Sequence, residues 1–168
     1  MSEKKTSNNS FIIIVDKREQ LPWQFTGYDV RLIYAILETG DYSIFGLQNN
    51  VCAERKSLSD LFGSLGKGHK VFMDRMKRMR DFECKALVIE ATYDRVLHPY
   101  KNYSKVHPSS VIGSLSKIAA VYNIPVIFAG GRRNAQSFVY HMFRHYRESK
   151  FKVEVKSDPT IKRTFSPI

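Results

Sequence analysis

The run Phe11-Ile12-Ile13-Ile14-Val15 constrains this chain most. Five consecutive apolar residues leave no polar side for water, so the run reads as a strand covered on both faces. It stops abruptly in the charged loop Asp16-Lys17-Arg18-Glu19. Such a strand needs packed layers on both sides of a sheet, and the remaining sequence supplies them. Residues 30–37, 42–47 and 51–56 read as three more strands, joined through Gly40-Asp41 and turn-forming residues 46–50. Their spacing predicts an antiparallel meander. Ser57-Leu58-Ser59-Asp60 carries a capping serine with an acid three residues on, which opens a helix over 58–65. Residues 69–82 follow as a helix with Phe72, Met76 and Met79 on one face. Further on come a strand at 86–89, a helix at 108–122, a strand at 125–128 and a helix at 134–147. There is no repeat and no sign of a second domain. The reading is one α/β domain over residues 11–148, between a polar, disordered leader (1–10) and a basic tail (149–168).

Composition narrows the function classes. With 43% apolar and 12% aromatic residues in 168, the chain can build a real core, which excludes a disordered or collagen-like protein. Lys and Arg number 27 against 16 Asp and Glu, a net charge of +11. That excess points to a polyanion, nucleic acid first and an anionic membrane surface second. Cys52 and Cys84 stand apart without CxxC spacing, as reduced thiols of a cytoplasmic protein do. No apolar run approaches the roughly 20 residues of a membrane span. A cytoplasmic location is therefore expected, with a nuclear one open.

The acids are placed informatively. Asp16, Glu19, Asp41, Glu54 and Lys56 all fall at strand ends or in adjoining loops. Two strands joined by the turn between them would bring Asp41 and Glu54 together. Along Glu54-Arg55-Lys56, alternation puts Glu54 and Lys56 on one face and Arg55 on the other. Two hard oxygen donors beside an amine suit phosphodiester hydrolysis with Mg²⁺, which takes one or two carboxylates plus waters and phosphate oxygens. Lys56 would hold or deprotonate the attacking water, or stabilise charge on the phosphorane. A plain surface salt bridge explains the same pattern, and on this motif alone both readings stand.

Context favours the site. Val15-Asp16-Lys17-Arg18-Glu19, Gly40-Asp41-Tyr42 and Glu54-Arg55-Lys56-Ser57-Leu58-Ser59-Asp60-Leu61 resemble, in order, the VDxRE, GDY and ERKxxxDL motifs of the XPF-type excision-repair nuclease domain, within the PD-(D/E)xK superfamily. The similarity continues through Leu87-Val88-Ile89-Glu90, His107 to Leu115 and Ile124-Pro125-Val126, covering residues 11–148. The later segments look most like stand-alone bacterial or phage versions. The resemblance implies a restriction-endonuclease-like mixed sheet flanked by helices. It implies that Asp41 and Glu54 bind catalytic Mg²⁺ or Mn²⁺, that Lys56 is the catalytic lysine, and that Asp16 and Glu19 bind metal or position water. Arg18 and Arg55 would support the site or touch phosphate. Asp60 has two readings, a site acid or the helix cap.

The expected activity is endonucleolytic cleavage of branched or single-strand-flanked DNA in repair, recombination or phage DNA processing. A non-catalytic DNA-binding scaffold and a less discriminating nuclease are the alternatives. Candidate phosphate contacts, besides Arg18 and Arg55, are Lys67, Lys70, Arg75, Arg78, Arg132 and Arg133. Arg75 occupies a helix position where the family usually carries Gln or Glu; either the local alignment slips by one residue or the site holds an extra cation. The tandem helix-hairpin-helix domain of eukaryotic and archaeal relatives is not expected here. XPF-type domains pair through their C-terminal half. The stripes Val111, Leu115, Ile118, Ala119 and Phe138, Val139, Met142, Tyr146 would serve a homodimer, or are core.

Other signals are weaker. His141 and His145 have zinc-helix spacing but lack the glutamate of HExxH and a third ligand. Gly130-Gly131-Arg132-Arg133 is a phosphate-binding turn or a tight turn with solvated arginines. Trp23 stacks on a base or closes the core.

Overall fold

The computed structural model describes residues 10–157. Its strands are β1 (Phe11–Asp16), β2 (Val30–Ala35), β3 (Tyr42–Ile44), β4 (Val51–Lys56), β5 (Cys84–Ile89) and β6 (Val126–Phe128). Its helices are α1 (Leu58–Leu65), α2 (His69–Met79), α3 (Tyr93–Leu97), α4 (Pro108–Tyr122) and α5 (Arg132–Ser157). The strands form one mixed sheet in the order β2-β1-β3-β4-β5-β6. β1 pairs parallel with β2 and antiparallel with β3, β3 pairs antiparallel with β4, and β4, β5 and β6 are parallel. Every strand except β3 therefore points the same way. The C-terminal ends of β1, β4 and β5 line one edge of the sheet, the edge where open α/β sheets hold their ligands.

Alternation along β4 and β5 divides the core. Cys52, Leu87 and Ile89 face the layer of α1, α2 and α4, with Phe62, Phe72, Met76 and Ile118. Val51, Ala53, Ala86 and Val88 face α5 and the segment after β1, with Trp23, Phe25 and Phe143. Covering both faces is what the apolar run in β1 requires. No described helix is long and apolar enough to cross a membrane.

The expected meander is not what forms. β3 and β4 do pair antiparallel, but β2 lies beyond β1 and parallel to it. The wholly apolar strand takes the interior place. β2, with Arg31 and Tyr34 exposed, takes the edge, where polar groups can meet water. The 17–29 connection contains no helix and folds over the sheet. Trp23 is fully buried in it, its ring stacked on Tyr42 at 4.5 Å and its backbone N–H donating to the Tyr42 hydroxyl at 2.8 Å. Core closure is thus the role of Trp23.

The expected helices form, with α5 extending to Ser157 and beginning at Arg132. It carries the fold past residue 148; most of the leader and the end of the tail, including Lys162 to Phe165, lie outside the described residues. The stripes considered for an interface are used largely inside: Val111, Leu115, Ile118 and Val139 are buried, while Phe138 is partly exposed. α3 was not expected. Thr92 caps it, accepting from the Arg95 N–H at 3.1 Å.

Candidate active site

Gly40 sets the site's geometry. Its φ is +79°, and a Cβ there would come within 3.1 Å of both the Ala53 carbonyl oxygen and Cys52 Cβ. Only glycine fits so close to β4 in that left-handed conformation. The next residue, Asp41, is clamped between two strands: its N–H donates to the Ala53 carbonyl at 2.8 Å, and its carbonyl accepts from the Asp16 N–H at 2.8 Å. Its Oδ2 accepts from the Arg55 N–H at 2.7 Å. The three sequence motifs thus meet at one backbone junction.

A cleft of about 690 Å³ opens above it, with Asp16, Glu19, Asp41 and Lys56 among its lining residues. Glu54 lies beneath, fully buried. Its Oε1 meets Lys56 Nζ at 2.9 Å and Arg75 Nη1 at 2.7 Å. Its Oε2 is buried without a hydrogen-bond partner. Lys56 Nζ lies 5.2 Å from the Phe72 ring centroid, so the ammonium is held from two sides. Burial, and then the nearby charge of Glu54, push the Asp41 carboxyl up to about 8. Two carboxylates close together in a poorly solvated place resist both being ionised.

Asp16 is engaged differently. Oδ1 accepts from the Arg18 N–H and Nε, and Oδ2 from Arg18 Nη2 and the Leu37 N–H, all at 2.7–2.8 Å. Arg18 also donates to the Leu37 carbonyl. Although desolvation opposes it, this donor set, led by Arg18, holds the Asp16 carboxyl below its ordinary range. Asp16 therefore fixes the loop to β2's exit, and it would ligate a cation only if Arg18, whose side chain is 66% exposed, swung away.

The opposite face of β4 carries a network that sequence reading missed. Arg55 is buried, and its fork donates to Glu90 Oε1 and Oε2 at 2.8 and 2.9 Å. Its Nη1 reaches Glu19 at 3.4 Å. Trp23 Nε1 donates to Glu90 at 2.7 Å, and Arg132 Nη1 lies 3.3 Å from the same oxygen. Arg132 also donates to the Leu21 and Pro22 carbonyls. Of its two readings, Arg55 takes the supporting one, its side chain only 5% exposed, while Arg132, 44% exposed, ties the start of α5 to the Trp23 loop. Glu90 was visible in sequence as an acid ending a strand, but nothing marked its partners.

Of the other candidates, Arg75 reaches the site and is an extra cation there, 2.7 Å from Glu54 Oε1. Arg78 borders the cleft, as does Asp60. The capping reading of Asp60 is realised too: its N–H donates to Ser57 Oγ at 3.1 Å, and Ser57 Oγ donates to Asp60 Oδ2 at 2.7 Å. Lys67 and Arg133 are exposed away from the cleft lining. Lys70 faces a separate recess of about 270 Å³ shared with Lys77 and Lys117.

Asp41, Glu54 and Lys56, with Arg18, Arg75 and Arg78 around them, thus gather at one edge of a mixed sheet, as the XPF-type reading of the three motifs requires. The ERCC4 domain family matches residues 15–142, and the chain belongs to that family. The DNA repair protein RAD1 of Saccharomyces cerevisiae is 33% identical over 113 residues, 59% of this chain and 10% of RAD1. The chain thus spans about a tenth of that relative's length. XPF from Aeropyrum pernix superposes with a TM-score of 0.63 at 17% identity, over 80% of this chain and 61% of that one. In complex with DNA it gives the same score and identity, over 83% and 66%. At this identity the likeness establishes the fold.

Proposed function

We propose that this chain is a divalent-metal-dependent DNA endonuclease that cuts branched or single-strand-flanked DNA, in repair, recombination or phage DNA processing. The observation that carries the reading is the bare Glu54 Oε2, in a carboxylate whose charge reaches Asp41. A buried carboxylate oxygen without a donor is costly, and a hard cation satisfies it. Mg²⁺ or Mn²⁺ accepts so sparse a donor set, since waters and phosphate oxygens complete its coordination. Asp41 and Glu54 would hold the ion, which would polarise the phosphoryl group and acidify a water.

The chain's own groups do the rest. Lys56, fixed between Glu54 and Phe72, holds the attacking water and donates to the charge that builds as the water's oxygen bonds phosphorus and the ester P–O bond breaks, the water's proton passing to solvent and the leaving oxygen taking one from solvent. Asp16 keeps Arg18 at the rim, where it and Arg78 receive backbone phosphates. Glu19, tied to Arg55 and to the Leu21 N–H, positions the loop beside them. Association as a two-fold homodimer belongs to the same reading, supported by the exposed Val121 and Phe138 on α4 and α5 and measurable by sedimentation at micromolar concentrations.

One observation favours a second reading. Lys56 and Arg75 already balance Glu54, so the domain would also stand as a non-catalytic DNA-binding scaffold. A panel of flap, fork, Holliday-junction, duplex and single-stranded DNA, with Mg²⁺, Mn²⁺ or EDTA, separates the two. Cleavage of branched forms that stops in EDTA is expected. Undiminished cutting in EDTA rules out the metal, and no cutting with any ion leaves the scaffold.

A further inference from the structure

We infer that Tyr100 and Tyr103 form a base-stacking platform for a single-stranded DNA flank at the mouth of the cleft. The inference rests on the DNA reading above and names how an unpaired strand would be gripped. The segment 98–107 between α3 and α4 reads His-Pro-Tyr-Lys-Asn-Tyr-Ser-Lys-Val-His, with aromatic and cationic residues interleaved and no acid.

Tyr103 lines the cleft. It is anchored below by Phe62, ring centroids 5.7 Å apart. Tyr100 meets it edge-on at 5.8 Å and 74°, yet remains 70% exposed. Each ring has its own cation: Arg95 Cζ lies 5.3 Å from Tyr100 and Lys101 Nζ 5.1 Å from Tyr103. A single exposed aromatic needs no explanation. Two rings in contact, each accompanied by a cation and opening onto a phosphodiester site, form the combination that binds single strands: a face for the base and charge for the backbone.

The platform would discriminate. Bases in a duplex already stack on one another, so Tyr100 gains a contact only where a base is unpaired. The electrostatic part of binding is indifferent to that distinction. Trp23, the aromatic that sequence alone offered for stacking, is sealed in the core, and Tyr103 is the aromatic among the residues lining the cleft.

The test uses the full chain in EDTA, with fluorescein-labelled single-stranded and duplex oligonucleotides followed by anisotropy. Tyr100→Ala should weaken single-strand binding about tenfold, within the range of one lost base stack, and leave duplex binding unchanged. Tyr100→Phe, which keeps the ring, should bind as wild type. A 2-aminopurine in the single strand should be quenched by wild type and not by Tyr100→Ala. Equal losses on both DNA forms, or no loss on either, overturn the platform. Flap cleavage by wild type is scored separately: if it occurs while Tyr100→Ala binds normally, the platform alone falls. If nothing is cut while the selective loss appears, the nuclease reading alone falls.

Discussion

Glu54 and Arg55 are neighbours on β4, both buried, and face opposite sides of the sheet. Each sits in a charged cluster, yet the clusters differ in completeness. On the α5 side, Glu90 receives the Arg55 fork, Trp23 and Arg132. On the α2 side, Glu54 has two cations crowded on one oxygen and nothing on the other. Buried polar groups in proteins are satisfied almost without exception. A saturated network next to an unsaturated one therefore separates a brace from a site, though the residue types in the two are nearly the same.

The comparison breaks most visibly in catalysis. Glu54→Gln and Asp41→Asn should each lower the cleavage rate by about 10²–10³-fold, the scale for removing a preorganised charge contact in a closed site. The fold should survive both, since Gln and Asn keep the shape. Lys56→Ala should cut the rate similarly without weakening Mn²⁺ binding, because an ammonium is no ligand for a hard cation. Initial rates on a flap substrate, with thermal melts alongside, check this. A Glu54→Gln protein cutting at the wild-type rate would remove Glu54 from the site.

On the other face, stability is what should break. Arg55→Ala leaves the nearly buried Glu90 without its main counter-ion, a loss of up to about 3 kcal/mol, the lower end for one partner of a buried pair. Urea unfolding measures it. Were Arg55→Ala as stable as wild type but weak on DNA, Arg55 would be a phosphate contact after all.

The two faces were unequally legible. Glu54-x-Lys56 follows from strand alternation, and Ser57 with Asp60 from local capping chemistry; both form as expected. Sequence did not reveal that β1 separates β2 from β3, since strand order is decided by pairing across many residues. Arg75 touching Glu54 crosses 21 residues, and Trp23 reaching Glu90 crosses 67. Such contacts leave no periodic trace. The site was readable because its groups cluster at strand ends; the brace was not, because its members come from four separate segments.

A pH series sharpens the contrast, because Asp41 is the acid that burial holds at about 8 instead of 3.8. Between those values the folded protein keeps a proton that the unfolded chain has released. Metal-free stability should therefore fall as pH rises from about 4 to about 8, by at most about 1.4 kcal/mol per pH unit. Asp41→Asn should flatten that decline. Chemical denaturation at several pH values in EDTA decides it, and a wild-type decline no steeper than the variant's would show that Asp41 is ionised in the fold.

The smallest expected effect belongs to Arg75, where the two clusters are most alike. Its guanidinium sits 2.7 Å from Glu54 Oε1 and, from α2, supplies the charge that Arg55 supplies to Glu90. The difference is access: the Arg75 side chain is 36% exposed and that of Arg55 is 5%. Arg75 can leave towards solvent, so it need not brace anything. While it stays, it competes for Glu54 with any divalent ion, and opposite charge lost from a carboxylate frees it for another cation. Arg75→Gln should therefore bind Mn²⁺ more tightly, by roughly fivefold or about 1 kcal/mol. Its DNA affinity should fall, with a salt slope about one unit lower. Calorimetric Mn²⁺ titration without DNA isolates the first effect. If Mn²⁺ binding weakens instead, Arg75 holds Glu54 in place for the metal, and the two faces of β4 are both braced by arginine.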